Sequence, residues 1–250
     1  MSIPGVQAIT MRAKRITCVE FNAFNNFGVC DQIINIFNRD RIVVVIVETK
    51  RFYFLKNMFF ALLSDKEKFD STNYKFQNLR DKYSIHRGIL RLILSRLLDI
   101  KNADVNISAS SYGKPFIDGS YNLRFNLSHS NNYALYAFAL GSEVGIDVEE
   151  NNNQININEI APLVLSAGEQ RDFSTLDSFE QRHNFFKLWT LKEALTKNYG
   201  LGMSMNFNKI HLGLNNYSFE NLLLYDLSVA NSYYAALALE ANFFSFIKLK

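Results

Sequence analysis

A run of six β-branched apolar residues, from Ile42 to Val47, constrains the fold of this chain more than any other segment. The run reads Ile-Val-Val-Val-Ile-Val and does not alternate between apolar and polar positions. A strand with one face in water would alternate, because successive side chains point to opposite faces of a sheet. We therefore predict a strand covered on both faces, in a sheet with further elements packed on each side.

The segments that follow predict further strands and long helices. Apolar residues recur at helical spacing over residues 85–98 with basic residues between them, which is typical of an amphipathic helix. Residues 112–115 carry the glycine and proline of a tight turn. Residues 124–127 and 133–140 predict strands on either side of a polar loop. Strands mixed with single long helices favour an α+β fold.

The second part of the chain repeats this order of elements. A strand at 144–148 precedes a polar stretch, a helix from about residue 182 to residue 199, a loop with glycines, and apolar strands. The segment 131–140 also resembles 231–240 in sequence, which suggests two related halves. Chance similarity between two apolar strands is the alternative.

These observations give an expected domain organisation. The first α+β half is expected over residues 41–140 and the second over residues 141–250. Residues 1–40 show no sustained period and are expected to form an irregular arm.

The composition narrows the functional classes. Apolar residues make up 48% of the chain, yet the run at 42–47 is too short to span a bilayer of about 30 Å. No signal peptide is predicted, and two cysteines without metal-binding spacing favour a reducing compartment, with the cytoplasm as the default. A net charge of +3 does not by itself argue for nucleic acid. We expect a chain that binds neither a membrane nor a nucleic acid.

Two carboxylates lie side by side on the strand predicted at 144–148. Asp147 and Glu149 are two positions apart and therefore project from the same face. Such a pair repels itself unless a hard cation such as Mg²⁺ neutralises it. A solvated strand end is the alternative interpretation.

A third carboxylate lies on the later helix. Spacing of four residues places Trp189, Glu193 and Lys197 along one stripe, and Lys192 adds a cation beside it. Gly200 and Gly202 follow in a loop that could let a ligand approach the backbone closely. Alternatively, Glu193 and Lys197 form an exposed ion pair and Trp189 anchors the helix in the core.

Further polar groups lie at the ends of regular elements. Arg87 is on the first long helix, Lys114 is in the tight turn, and Ser128-His129-Ser130 occupies the expected polar loop. Cations in such places can hold phosphates, and a histidine can donate to an anion. The surroundings of the two serines lack the Gly-x-Ser-x-Gly pattern of a hydrolase nucleophile, and a surface role for the histidine is the alternative.

Taken in order, these segments resemble the 4′-phosphopantetheinyl transferases of the surfactin-synthetase-activating (Sfp) type. The resemblance covers about residues 80–205. The matching segments are His86-Arg87, Tyr112-Gly-Lys-Pro115, Phe125-Asn-Leu-Ser-His-Ser130, Gly145-Ile-Asp-Val-Glu149, Phe186-Lys-Leu-Trp-Thr-Leu-Lys-Glu-Ala194, and Lys197 with Gly200-Leu-Gly202. No segment is decisive alone, whereas the ordered set is specific.

The resemblance implies two α+β halves related by a pseudo-twofold axis, with coenzyme A in the cleft between them. It implies Mg²⁺ ligands at Asp147, Glu149 and Glu193. It also implies that coenzyme A is bound through Arg87, Lys114, Ser128, His129, Lys192 and Lys197.

The implied reaction is attack by a serine of an apo acyl, polyketide or peptidyl carrier protein on the β-phosphorus of coenzyme A, with adenosine 3′,5′-bisphosphate leaving. Glu193 is implied to take the serine proton and Lys197 to stabilise the leaving group. A monomer is the expected state.

Two segments depart from the family pattern. The stretch Val164-Leu-Ser-Ala-Gly-Glu169 keeps a glutamate but lacks the family's aromatic residue, which leaves the role of Glu169 open. The lysines near Lys66 and Lys68 do not align cleanly with Arg87 and are left out of the site.

Two other functions remain open from the sequence. One is a non-catalytic module that binds coenzyme A or a carrier protein. The other is a metal-dependent phosphoesterase built on the same acidic residues.

Overall fold

The computed structural model describes residues 6–9, 16–21, 42–212 and 217–241, and the helical positions 31, 33–35 and 37. The strands are, in chain order, β1 (Val6–Ile9), β2 (Ile16–Phe21), β3 (Ile42–Glu48), β4 (Ile107–Ala109), β5 (Pro115–Ile117), β6 (Leu123–Ser130), β7 (Tyr133–Leu140), β8 (Val144–Glu150), β9 (Ser218–Phe219), β10 (Leu222–Leu227) and β11 (Tyr233–Glu240). From residue 56 onwards the α-helices are α1 (Lys56–Ala61), α2 (Asp65–Thr72), α3 (Gln77–Leu97), α4 (Ile157–Val164), α5 (Ala167–Ser174) and α6 (Ser178–Tyr199). The α+β class predicted from the sequence is confirmed.

The chain divides into two units by its internal contacts. The first contains the described residues up to Ser108 together with 117–121 and 132–136, and the second contains 109–116, 122–131 and the described residues from 137 onwards. Strand β7 begins in the first unit and ends in the second. The chain therefore crosses between the units several times near residues 109–137, which the sequence does not indicate.

In the first unit, β1, β2, β3 and the start of β7 adjoin in that order. Strand β1 pairs with β2 antiparallel, and β2 pairs with β3 in parallel. All six residues from Ile42 to Val47 are buried, which confirms the prediction of a strand covered on both faces. The irregular arm expected over residues 1–40 contains the strands β1 and β2, and much of it lies outside the described residues.

Helix formation in the first unit extends beyond the amphipathic segment. Helix α3 begins at Gln77, eight residues before the predicted start at residue 85. Asp81 accepts hydrogen bonds from Lys56 at 2.7 Å and Gln77 at 2.8 Å, which stabilises the polar first turns. Those turns carry just Leu79 and Tyr83 at helical spacing among polar residues, which is too little to predict a helix from periodicity.

In the second unit, an antiparallel sheet has the strand order β8-β11-β10-β9. Helix α6 begins at Ser178, earlier than predicted, because Asp177 and Glu180 form a capping box. It ends at Gly200, whose φ of 68° is the left-handed conformation of a helix C-cap. The two similar segments, 131–140 and 231–240, contain the strands β7 and β11. A common origin of the two halves stays a prediction.

None of the helices that the structure describes is both long and apolar enough to cross a membrane.

Gly145 permits a close approach between α6 and β8. A Cβ atom placed on this residue would lie 2.0 Å from the carbonyl oxygen of Ala194 and 2.4 Å from the backbone nitrogen of Asn198. Both neighbours are backbone atoms of α6, so the helix would have to move as a whole. The spacing of helix and strand in this unit therefore depends on glycine at position 145.

We predict that Gly145→Ala lowers the free energy of unfolding by about 3 kcal/mol, because a methyl group at this position overpacks the contact with α6. Gly168→Ala is the control. The three atoms nearest its Cβ belong to the exposed ring of His211, which can turn aside at the cost of its hydrogen bond with Ser166. Chemical denaturation of the two variants should show a change below about 1 kcal/mol for Gly168→Ala. Equal losses of unfolding free energy in the two variants would contradict the close packing of α6 on Gly145.

Candidate functional site

The face of the second sheet that lies under α6 carries the acidic residues. Gly145, Asp147 and Glu149 alternate along β8 and share one face. The register with β11 places Ala236 opposite Asp147 and Tyr234 opposite Glu149. Because Gly145 brings α6 close to the strand, the next two residues on this face lie beside the last turns of the helix.

Asp147 is the best-defined acidic group of this face. It is only 2% exposed, and its Oδ1 atom accepts hydrogen bonds from Ser128 Oγ at 2.8 Å and Lys197 Nζ at 2.6 Å. Its Oδ2 atom is buried and has no hydrogen-bond partner among the described residues. Buried polar atoms are nearly always satisfied, so this oxygen marks a place where a further donor or cation fits.

Strand β6 supplies a row of side chains to β8. Ser128 contacts Asp147, and Ser130 Oγ lies 3.0 Å from Glu149 Oε2. The sequence analysis placed Ser128-His129-Ser130 in a polar loop, and this was wrong because all three belong to β6. Their alternation directs the two serines to the carboxylates and leaves His129 exposed on the other side.

Electrostatic repulsion links the three carboxylates that the sequence singled out. Burial first, then the charge of Asp147 and to a smaller extent that of Glu193, raise the pKa of Glu149 to about 7, against the Ser130 hydrogen bond and Lys197. Burial and the charge of Asp147 also raise the pKa of Glu193, against Lys197 and a hydrogen bond from Trp189. Asp147, Glu149 and Glu193 therefore form one electrostatic neighbourhood with a single close ammonium group, Lys197, among the contacts of the described residues.

The donor chemistry of this neighbourhood suits a hard divalent cation. Carboxylate oxygens are the ligands that Mg²⁺ prefers, and Asp147 Oδ2 is such an oxygen without a partner. Within the described ranges, no group of three or more His, Cys, Asp or Glu side chains is close enough to form a ready-made metal site. Mg²⁺ is commonly held by one or two carboxylates with water and substrate phosphates, so a preformed cage of three is not required.

Lys114 lies in the second unit and is engaged with protein groups. Its Nζ atom is 2.5 Å from Glu143 Oε2 and 2.8 Å from the carbonyl oxygen of Asn198, near the end of α6. Burial lowers the pKa of Lys114, although Glu143 acts against this shift. Gly200 packs against its aliphatic chain, so Lys114 fastens the β4–β5 turn to the end of the helix.

Arg87 lies in the first unit, on α3. Its guanidinium donates to Glu67 Oε1 through Nε at 3.0 Å and Nη2 at 2.7 Å. Arg91 donates to the other oxygen of the same buried carboxylate at 3.1 Å. Arg87 is thus held by an acidic partner that the sequence analysis did not identify.

Lys192, which the sequence predicts as a contact of coenzyme A, is engaged inside the protein in this structure. Its side chain is completely buried, and its ammonium donates to Glu169 Oε2 at 2.5 Å and to the carbonyl oxygens of Val164 and Phe207. All three donors are therefore used inside the protein. Lys192 directly precedes Glu193 in sequence, but successive residues of a helix differ in direction by about 100°, and its side chain points to Glu169 of α5 instead.

Glu169 belongs to the same buried network. Its carboxylate also accepts from the backbone nitrogens of Ser166 at 2.7 Å and Leu212 at 2.9 Å. Glu169 therefore holds α5, α6 and the segment near residue 212 together, and a contact of Lys192 with coenzyme A stays a prediction.

Sequence reasoning missed three groups that position the candidate residues. Ser130 contacts Glu149, Glu143 contacts Lys114, and Glu67 contacts Arg87. The spacing of Ser128 and Ser130 would have indicated the first, had the segment been treated as a strand. Nothing in the sequence indicates that Glu143 pairs with Lys114, 29 residues away. The same holds for Glu67 and Arg87, which are 20 residues apart.

We predict that Glu149→Gln stabilises the metal-free protein at pH 8. The folded protein holds the pKa of Glu149 near 7, above its ordinary value of 4.5, so unfolded chains lose this proton first as the pH rises. The free energy of unfolding therefore falls between about pH 4.5 and 7, and the penalty is complete above that range. Removing the charge should raise the free energy of unfolding by about 2 kcal/mol at pH 8 and leave it unchanged near pH 4.

Thermal unfolding in EDTA at several pH values measures this difference. Glu159→Gln on α4 is the control, because its carboxylate is exposed and accepts a hydrogen bond from the neutral side chain of Asn156. A stabilisation of Glu149→Gln that is the same at pH 4 and pH 8 would count against the repulsion described here.

Comparison with known families identifies the chain. The family model described as "4'-phosphopantetheinyl transferase, N-terminal" matches residues 54–140, and the model of the "4'-phosphopantetheinyl transferase superfamily" matches residues 143–239. The two models adjoin and account for most of the described residues, and their two domains fit the expected fold of two halves.

Curated relatives carry the same name. The chain is 32% identical over 145 residues to the 4′-phosphopantetheinyl transferase Sfp of Bacillus subtilis, a match covering 56% of this chain and 63% of the relative. It is 32% identical over 147 residues to HetI of Nostoc sp., covering 58% and 62%, and 32% identical over 143 residues to gsp of Aneurinibacillus migulanus, covering 56% and 58%. The chain thus matches about three fifths of the length of these relatives. From the two family models and these relatives together, the chain belongs to the 4′-phosphopantetheinyl transferase superfamily, with similarity to its Sfp type.

Proposed function

We propose that this chain transfers the 4′-phosphopantetheine group of coenzyme A to a serine of an apo carrier protein and releases adenosine 3′,5′-bisphosphate. The serine oxygen forms a bond to the β-phosphorus, the bond from that phosphorus to the bridging oxygen breaks, and the electron pair leaves with the nucleotide. The observation that carries the proposal is the buried Asp147 carboxylate, which has one oxygen on Lys197 and the other without a partner. That arrangement lies within the part of the chain that matches the superfamily.

We propose Mg²⁺ as the cation of this site. Asp147 through Oδ2, with Glu149 and Glu193, would hold it, and it would supply charge neutralisation for the carboxylates and the diphosphate together. The partnerless oxygen supports this set, and so do the raised pKa values of Glu149 and Glu193, because burial first and the charge of Asp147 second disfavour the ionised carboxylates unless a cation is bound.

Two residues of α6 have distinct proposed roles. Glu193 accepts the proton of the attacking serine, for which a carboxylate with a raised pKa is better suited than an ordinary one. Lys197 stabilises the charge on the leaving phosphate, because its ammonium is partly exposed while it holds Asp147. Neither role requires the backbone of α6 to move.

The proposed coenzyme A contacts are Ser128, His129 and Lys114 in the second unit and Arg87 in the first. Lys114 would exchange one of its present acceptors, Glu143 or the Asn198 carbonyl, for the nucleotide. Arg87 keeps two donors on Glu67, and a guanidinium carries five donors, so it can bind a phosphate without breaking that pair.

The carrier protein is proposed by class alone, as an acyl, polyketide or peptidyl carrier. We also propose that the chain acts as a monomer in the cytoplasm, where the buried free thiol of Cys18 would stay reduced.

The proposed reaction predicts a mass increase of one phosphopantetheine group on an apo carrier protein incubated with this chain, coenzyme A and Mg²⁺. Intact-mass spectrometry measures it, with a parallel sample in EDTA that should show no increase. Folded protein that binds coenzyme A but modifies none of a panel of acyl, polyketide and peptidyl carriers would refute the transfer. That result would favour a module that only binds.

We predict that Asp147→Asn lowers the rate of carrier modification by at least about 100-fold. The amide can keep the hydrogen bond from Ser128, but it removes the negative charge that faces the cation and Lys197. Asp226→Asn is the matched control, because Asp226 also pairs with a lysine of α6, Lys187 at 3.1 Å, but contacts none of the proposed ligands. Equal rates for the two variants would remove Asp147 from the site.

A further inference from the structure

The two serines of β6 meet Asp147 and Glu149 of β8 one to one. Ser128 Oγ lies 2.8 Å from Asp147 Oδ1, and Ser130 Oγ lies 3.0 Å from Glu149 Oε2. The Ser-x-Ser spacing of one strand matches the Asp-x-Glu spacing of the other, because both follow the two-residue period of β structure. Each of these two carboxylates therefore has its own serine hydroxyl.

The hydroxyl of Ser130 has a fixed direction. Its oxygen accepts a hydrogen bond from the backbone nitrogen of Glu150 at 3.0 Å. A serine hydroxyl carries one hydrogen, and with a lone pair engaged by that N–H its hydrogen points to Glu149. The group that fixes Ser130 thus belongs to the residue next to the carboxylate it holds.

Ser128 is fixed differently. Its oxygen accepts from Lys197 Nζ at 2.9 Å, and that ammonium is on a flexible side chain with a proposed role in the reaction. The hydrogen bond from Ser128 to Asp147 can therefore change when Lys197 moves, whereas the orientation of Ser130 depends on a backbone N–H. The hydrogen bond from Ser130 to Glu149 is thus the more rigidly fixed of the two.

We propose that Ser130 is a positioning residue of the cation site, which fixes Glu149 by one oxygen so that the other is presented to Mg²⁺. The proposal rests on the proposed function, since it assumes that Glu149 is a ligand. Hydrogen bonds to ligating carboxylates set their orientation, and removal of such partners costs about 10-fold to 100-fold in metal affinity. Ser130 is expected to act at the low end of this range, because Glu149 is one of several proposed ligands.

The test uses Mn²⁺ as a spectroscopic substitute for Mg²⁺, titrated into the full chain without coenzyme A and followed by electron paramagnetic resonance of the free ion. We expect Ser130→Ala to bind Mn²⁺ about 10-fold more weakly than the wild type. Ser130→Thr keeps the hydroxyl and suits a strand, so it should restore the affinity. Ser142→Ala is the control, because it removes a buried serine of the same unit whose hydroxyl contacts Glu143 and Glu240 instead.

The outcomes separate the two proposals. If the wild type binds no Mn²⁺, the cation assignment fails and the role of Ser130 fails with it. If the wild type binds Mn²⁺ and Ser130→Ala binds it equally well, only the role of Ser130 is overturned. A purely structural serine would lower the thermal unfolding midpoint of the alanine variant and leave the affinity of the folded protein unchanged, which also overturns the proposal.

Discussion

The ion pair between Asp147 and Lys197 is the interaction on which the rest of the site depends. A carboxylate with 2% exposure is costly to keep ionised, and the ammonium at 2.6 Å is its close counter-charge. The pair exists because α6 lies close to β8, and that approach exists because residue 145 has no side chain. The compensation of the Asp147 charge by Lys197 therefore depends on the packing of α6 against Gly145.

The chain contains other buried acid–base pairs with a structural task. Glu169 and Lys192 hold α5 to α6, and Glu67 holds Arg87 and Arg91 of α3. Among the described residues, Arg91 keeps a buried Nε without a hydrogen-bond partner, just as Asp147 keeps Oδ2, so an unsatisfied atom alone does not mark a ligand site. The Asp147 site differs because its unsatisfied atom is a carboxylate oxygen, and the charge of Asp147 helps to raise the pKa values of two further carboxylates, Glu149 and Glu193.

The sequence was sufficient to predict the elements whose residues keep a clear period. It predicted β3, β8 and the main parts of α3 and α6, and it placed Asp147 and Glu149 on one face of a strand. It failed where polar residues form regular structure, as in the first turns of α3 and in Ser128-His129-Ser130 of β6. It also could not separate Lys192 from Lys197, because neighbouring residues of a helix differ by about 100° in direction and the sequence does not show which side is buried.

The contacts of the site differ in how far apart in sequence their partners are. The partners Ser130 and Glu149 are 19 residues apart, whereas Asp147 and Lys197 are 50 residues apart. Closing the longer loop costs about 0.9 kcal/mol more in chain entropy, and it also requires α6 to be in place. The contact that orients Glu149 is therefore local in the chain, whereas the ammonium that compensates Asp147 comes from a distant segment. The repulsion between neighbouring carboxylates of one strand is thus opposed by a contact that only the complete tertiary fold supplies.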